Sequence, residues 1–203
     1  MIAIVDYGMG NIRSVSKAVE AVGGDVVITH DPEEIKKSKA IILPGVGAFK
    51  DCMGNLANLG ILEVIKEEIQ KGKPYFGICL GMQILFSESE EFGICKGLDI
   101  FKGKVVRFNL PNEYKIPHMG WNTVTFKKKS KLLDGIPEHS YFYFVHSYYV
   151  APEEESVVAG VTEYGINFTS MLIYENIFAT QFHPEKSQKI GLKLLQNFVN
   201  LVR

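Results

Sequence analysis

Four short runs rich in β-branched and apolar residues, Ile2–Val5, Val26–Thr29, Ala40–Leu43 and Pro74–Ile78, alternate with amphipathic stretches through the first part of the chain. That rhythm constrains the fold more than any other feature. The runs read as strands, and the stretches Asn11–Val22 and around Leu56–Gln70 read as helices. Repeated strand–helix–strand units imply a parallel, doubly wound α/β sheet with helices on both faces. The character then changes. Lys104–Phe108, Trp121–Phe126, Tyr141–Val145, Val157–Val161, Met171–Tyr174 and Ile177–Phe182 read as strands in quick succession, which predicts a mixed sheet. A last helix, Lys189–Val202, carries Ile190, Leu194, Leu195 and Phe198 at helical spacing and should pack back on the core. No linker or repeat divides the chain, so residues 1–203 are expected to form one domain.

Sites in such sheets lie at the carboxyl ends of the strands. Three of those ends are rich in glycine: Gly8-Met9-Gly10, Pro44-Gly45-Val46-Gly47, and Gly77-Ile78-Cys79-Leu80-Gly81. The last puts a thiol between two glycines where a strand is expected to end and a helix to run from Leu80 to Ser87. A sharp elbow of that kind needs neighbours without side chains, and it lifts the central residue above the sheet. Unpaired N–H groups at the helix start favour a thiolate. Cys52 and Cys95 lack the glycine bracket and read as small buried apolar residues.

A nucleophilic thiol needs a base. Of the five histidines, His183 has the best neighbours, because it ends an apolar strand and Pro184 keeps it extended, so Glu185 projects to the same side. The carboxylate can accept from one ring nitrogen and leave the other for the thiol proton. An oxyanion hole is expected from the Leu80 N–H and a backbone donor within Gly45, Val46 and Gly47.

Other chemistries fit poorly. Gly8-x-Gly10 follows a strand, but Arg13 stands where a dinucleotide loop needs a third glycine. Pro44–Gly47 lacks the Lys and Ser/Thr of a phosphate loop. No His/Cys spacing suits zinc, so no metal is expected. Net charge is −1 from 22 basic and 23 acidic residues, which offers no field for nucleic acid or membrane. Three cysteines without a CxxC suit a reducing cytoplasm, and Asp6 cuts the N-terminal apolar run too short for a signal peptide.

Taken together, the elbow Gly77–Gln83, the Pro44–Gly47 strand end and His183-Pro184-Glu185 resemble the class I glutamine amidotransferases, over the whole chain. Asp6–Asn11, Pro117-His118-Met119-Gly120-Trp121-Asn122 and Tyr143–Tyr148 are similar to the branch that serves as glutaminase subunit of imidazole glycerol phosphate synthase in histidine biosynthesis. The resemblance implies a flavodoxin-like mixed sheet flanked by helices, and a Cys79–His183–Glu185 triad that releases ammonia from glutamine through a glutamyl thioester. It implies that Gln83, His146, Ser147 and Tyr148 bind substrate. It also implies a (β/α)8-barrel cyclase as heterodimeric partner, docking over Asn11, Met119, Trp121 and Lys186 in strand-end loops, and no cofactor. The residues alone leave three alternatives open: a stand-alone hydrolase of γ-glutamyl bonds, an amidotransferase subunit of another pathway, and a non-catalytic binding subunit in which Cys79 is core.

Overall fold

A computed structural model describes residues 1–203. The chain runs β1 (Ile2–Val5), α1 (Ile12–Ala21), β2 (Val26–Thr29), α2 (Pro32–Lys37), β3 (Ala40–Gly45), α3 (Phe49–Asn58), α4 (Leu62–Gln70), β4 (Tyr75–Cys79) and α5 (Leu80–Gln83). Strands then dominate: β5 (Phe86–Ser89), β6 (Cys95–Lys96), β7 (Phe101–Arg107), β8 (His118–Thr123), β9 (Thr125–Phe126), β10 (Tyr141–His146), β11 (Tyr148–Pro152), β12 (Val158–Glu163), β13 (Asn167–Tyr174) and β14 (Ile177–Thr180). The closing helix is α6 (Gln188–Leu201).

The main sheet has the order β2-β1-β3-β4-β14-β13-β11-β7-β5-β6, with β12 on β13 and β9 on β12. Strands β2, β1, β3, β4 and β14 are parallel neighbours, whereas β14–β13, β13–β11 and β11–β7 are antiparallel. The expected doubly wound half and mixed extension are therefore both present. Strands β8 and β10 form a separate antiparallel ribbon.

Alternation along the central strands sends side chains to opposite faces. Ala3, Val5, Ile41 and Leu43 pack with Ile35 of α2, Phe49 and Leu56 of α3 and Ile65 of α4. Ile2, Ile4, Ile42 and Phe76 pack on the other face with Val15 and Val19 of α1 and with Leu194, Leu195 and Phe198 of α6. The Phe76 and Phe198 rings lie 5.0 Å apart between centroids.

Two helices differ from expectation. The stretch around Leu56–Gln70 is not one helix, because Gly60 at φ +69° turns the chain between α3 and α4. The run from Leu80 to Ser87 is a single turn, Leu80–Gln83, rather than a helix. The carbonyls of Ile84, Leu85 and Phe86 accept instead from Leu98, Ile100 and Asp99, which pulls the chain into β5 beside β7.

Candidate active site

Adjacent parallel strands bring their carboxyl ends together above the sheet. Gly45 of β3 pairs in register with Cys79 of β4, and Thr180 of β14 pairs with Ile78. The thiol at position 79 is thereby flanked by the Pro44–Gly47 segment on one side and by the chain leading to His183 on the other.

Cys79 has φ 55° and ψ −105°, a conformation that costs an L-residue about 1–3 kcal/mol. The glycines at positions 77 and 81 are required by close approach. A Cβ on Gly77 would sit 2.3 Å from the Gly81 carbonyl oxygen, and one on Gly81 would sit 2.0 Å from the Leu43 carbonyl oxygen. With α5 only one turn long, what the elbow supplies is the free N–H groups of a first turn rather than the dipole of a long helix. Cys52 is fully buried, and burial pushes its thiol up to about 12, in keeping with a core residue.

His183 is held by its backbone N–H, which donates to the Tyr143 carbonyl at 2.9 Å. Its Nδ1 lies 2.9 Å from Glu185 Oε1, and the two side chains are 2% and 1% exposed. Burial acts to lower the imidazole pKa, but the Cys79 sulfur and the Glu185 carboxylate beside it outweigh that and raise it to about 10. His183 Nε2 and Glu185 Oε2 are both buried and have no hydrogen-bond partner. The ring nitrogen turned from Glu185 is thus free for chemistry.

A cavity of about 400 Å³ opens over Cys79. Cys79, Leu80, Val46 and Gly47 line it, while Gly45 lies behind them, packed against Leu80 and the Tyr7 hydroxyl. Gln83, His146, Ser147 and Tyr148 also line it, so the expected substrate residues do converge there. Two of them have prior commitments. Gln83 Nε2 donates to the Tyr148 carbonyl at 3.1 Å and to Gln181 Oε1 at 3.0 Å, which leaves its own carbonyl oxygen to offer a ligand. His146 uses both ring nitrogens, Nδ1 to the Tyr148 carbonyl at 2.8 Å and Nε2 against His118 Nδ1 at 3.0 Å. Its side chain therefore braces the wall of the cavity rather than projecting a free group into it.

Two cavity or cavity-backing residues escaped the sequence reading. Glu91 lines the cavity, and its Oε2 accepts from the Phe49 N–H at the start of α3 at 2.7 Å. Gln181 lies behind Cys79, with Nε2 3.5 Å from the sulfur. Glu91 reaches the site through the β5–β6 turn, which no local pattern announces; Gln181 has a signal in its place at the end of the apolar strand that leads to His183.

The four expected interface residues divide. Met119 and Trp121 are in strand β8, not a loop, and are 61% and 46% exposed, so Trp121 is not core. Lys186 lines the cavity, with Nζ 5.8 Å from the centroid of Tyr143, whose ring is 6.0 Å from that of Trp121. Asn11 is half-buried at the N-terminus of α1.

Comparison with known proteins follows the same lines. The family description Glutamine amidotransferase class-I matches residues 3–201. The imidazole glycerol phosphate synthase subunit HisH of Caldanaerobacter subterraneus is 54% identical over 203 residues, covering 100% of this chain and 99% of that one. The subunit of the same name from Aquifex aeolicus is 55% identical over 196 residues, covering 96% and 94%. Among solved structures, a glutamine amidotransferase superposes with a TM-score of 0.77 at 19% identity, covering 100% of this chain and 99% of that one. A GMP synthase subunit from Thermoplasma acidophilum superposes at 0.73 and 19% identity, covering 99% and 92%; both likenesses speak to the fold. The chain belongs to the class-I glutamine amidotransferases, in their branch of imidazole glycerol phosphate synthase HisH subunits.

Proposed function

We propose that residues 1–203 act as one glutaminase domain, the subunit of an imidazole glycerol phosphate synthase that hydrolyses glutamine and hands ammonia to a cyclase partner for histidine biosynthesis. The observation that carries the reading is a buried His183–Glu185 pair beside a strained, cavity-lining Cys79. In this mechanism the Cys79 thiolate attacks the side-chain amide carbon of glutamine. The oxyanion is held by the Leu80 N–H and a donor within Gly45, Val46 and Gly47. Protonated His183 gives its Nε2 proton to the departing amine, so ammonia leaves and a thioester remains. His183 then takes a proton from water, hydroxide adds to the thioester carbon, and glutamate departs as the thiolate is restored. Glu185 keeps the proton on Nδ1 throughout.

The amino-acid end of glutamine is matched by Glu91, whose carboxylate suits an α-ammonium, together with the carbonyl oxygen of Gln83. The strand end Ser147–Tyr148 supplies the opposite wall. A (β/α)8-barrel cyclase is the fitting partner, because ammonia formed in an open cavity would escape to water. Lys186 in the cavity wall, Met119 and Trp121 exposed on β8, and Asn11 at the start of α1 are the proposed docking residues. The three free thiols, Cys52, Cys79 and Cys95, suit a reducing cytoplasm, and no helix is long and apolar enough to cross a membrane.

The test is to follow glutamate release by the chain alone, with the cyclase, and with the cyclase plus its nucleotide ligand. Slow turnover that rises strongly on adding both is expected. Full turnover without any partner, with a γ-glutamyl peptide preferred over glutamine, would overturn the reading.

A further inference from the structure

The hydrogen bonds behind Cys79 have a fixed direction. A backbone carbonyl can only accept, and that of Tyr148 takes His146 Nδ1 at 2.8 Å and Gln83 Nε2 at 3.1 Å. Gln83 is therefore locked with its amide nitrogen toward Tyr148. The same nitrogen lies 3.0 Å from Gln181 Oε1, which fixes the second amide in turn. Side-chain amides are often ambiguous end for end, but here Tyr148 removes the ambiguity for both. Gln181 must then present Nε2 to Cys79 Sγ, 3.5 Å away. Gln181 is fully buried, and its backbone N–H is anchored on the Ser170 carbonyl at 2.9 Å. Water cannot substitute for its amide.

We propose that Gln181 is a catalytic residue whose amide N–H donates to the Cys79 thiolate. The donor favours the charged sulfur before attack. It favours the same sulfur again as leaving group, when the thioester carbon–sulfur bond breaks and the electron pair returns to Cys79. This inference rests on Cys79 being the nucleophile. A hydrogen bond to an ion inside a protein is strong because nothing competes with it, so losing one is felt in rate.

The experiment measures alkylation of Cys79 by iodoacetamide in the full chain at neutral pH, followed by peptide mass spectrometry, alongside glutamate release with the cyclase and its ligand bound. In Gln181→Met, which keeps the bulk and removes the donor, alkylation and kcat should each fall about tenfold. KM for glutamine should stay within about twofold, because Gln181 lies behind the sulfur and Gln83, on losing Gln181 Oε1, keeps the Tyr148 carbonyl as the acceptor that orients it. Alkylation and kcat equal to those of the parent chain would overturn the proposal. A parent chain whose Cys79 resists alkylation and which releases no glutamate would overturn the nucleophile assignment, and this inference with it. Should Gln181→Met fail to fold, the side-chain amide protons of Gln181 can be observed by NMR in the parent chain and in Cys79→Ala. A shift on removing the sulfur supports the donor; identical resonances would refute it.

Discussion

His183 Nδ1 and Glu185 Oε1 are 2.9 Å apart, with only Pro184 between the two residues in sequence. The short 3₁₀ turn Pro184–Lys186 folds the carboxylate back under the ring that precedes it. Because the carboxylate accepts only, the ring proton stays on Nδ1 and Nε2 is the nitrogen that can exchange protons with sulfur or substrate. Glu185→Gln could donate to Nδ1 and reverse that arrangement. Its kcat for glutamate release should fall by roughly a thousandfold. A loss below about tenfold would mean that Glu185 does not set the tautomer.

The elbow should be intolerant of a single methyl. Gly77→Ala and Gly81→Ala each place a Cβ against a backbone carbonyl, at 2.3 Å and 2.0 Å, where no side chain can move aside. We expect each to lower the free energy of unfolding by about 3 kcal/mol or more in urea titrations, or to prevent folding. Gly54→Ala is the matching control, since a Cβ there meets nothing within 4 Å.

Acid should weaken the fold in a defined window. His118 is stacked between Phe144 and Tyr164, with ring centroids 4.8 and 4.0 Å away, and burial holds its pKa down to about 4. Burial also holds His146 down to about 3. Below their ordinary value of 6.5 the unfolded chain binds protons that the folded chain refuses, so stability is full above pH 6.5 and is lost as pH falls toward 4. Each histidine contributes a slope of up to about 1.4 kcal/mol per pH unit. His183 acts with the opposite sign: its raised pKa gives stability that is full below 6.5 and is lost as pH rises toward 10. Urea midpoints measured from pH 4.5 to 9 should peak between the two windows, and a flat profile would contradict the assignment.

Phe198 joins α6 to the sheet through Phe76 and Phe178, with centroids at 5.0 and 5.8 Å. Phe198→Ala should cost about 3–5 kcal/mol in equilibrium unfolding, because the site is closed on all sides and cannot collapse. A cost near zero would show that α6 is not part of the cooperative core.

The exposed side chains on β8 bear on the partner. Replacing Met119 and Trp121 together by Ala should weaken association with the cyclase by about 2 kcal/mol or more, read by calorimetry, while the urea midpoint changes little. Unaltered affinity would place the docking surface elsewhere.

Much of this was legible in the sequence, and the exceptions have physical causes. Strands β1, β3 and β4 could be read because each is a dense apolar run filling both faces of a buried sheet, and β2, at the sheet edge, because it is a β-branched run. The elbow could be read because steric demand leaves glycine little choice at positions 77 and 81. Helix α2 escaped because only Ile35 faces the core, too little for a periodic pattern. The end of α5 escaped because pairing with β7, a tertiary event, overrides local preference. Strand β11 was hidden in Tyr148–Pro152, where a proline closes the run. Gln181 and Glu91 illustrate the limit for sites. Gln181 is an ordinary amide in a strand until its neighbours fix which end faces sulfur, and Glu91 reaches the cavity through a path that only the fold defines.

The pairing of β4 with β14 has a consequence in the order of synthesis. Cys79 leaves the ribosome long before His183, and the strand that leads to the base joins its neighbour only after β5 to β13 have been made. A nascent or prematurely ended chain therefore holds the thiol without its base. Synthesis of β14 and the turn that follows it is itself the event that arms it.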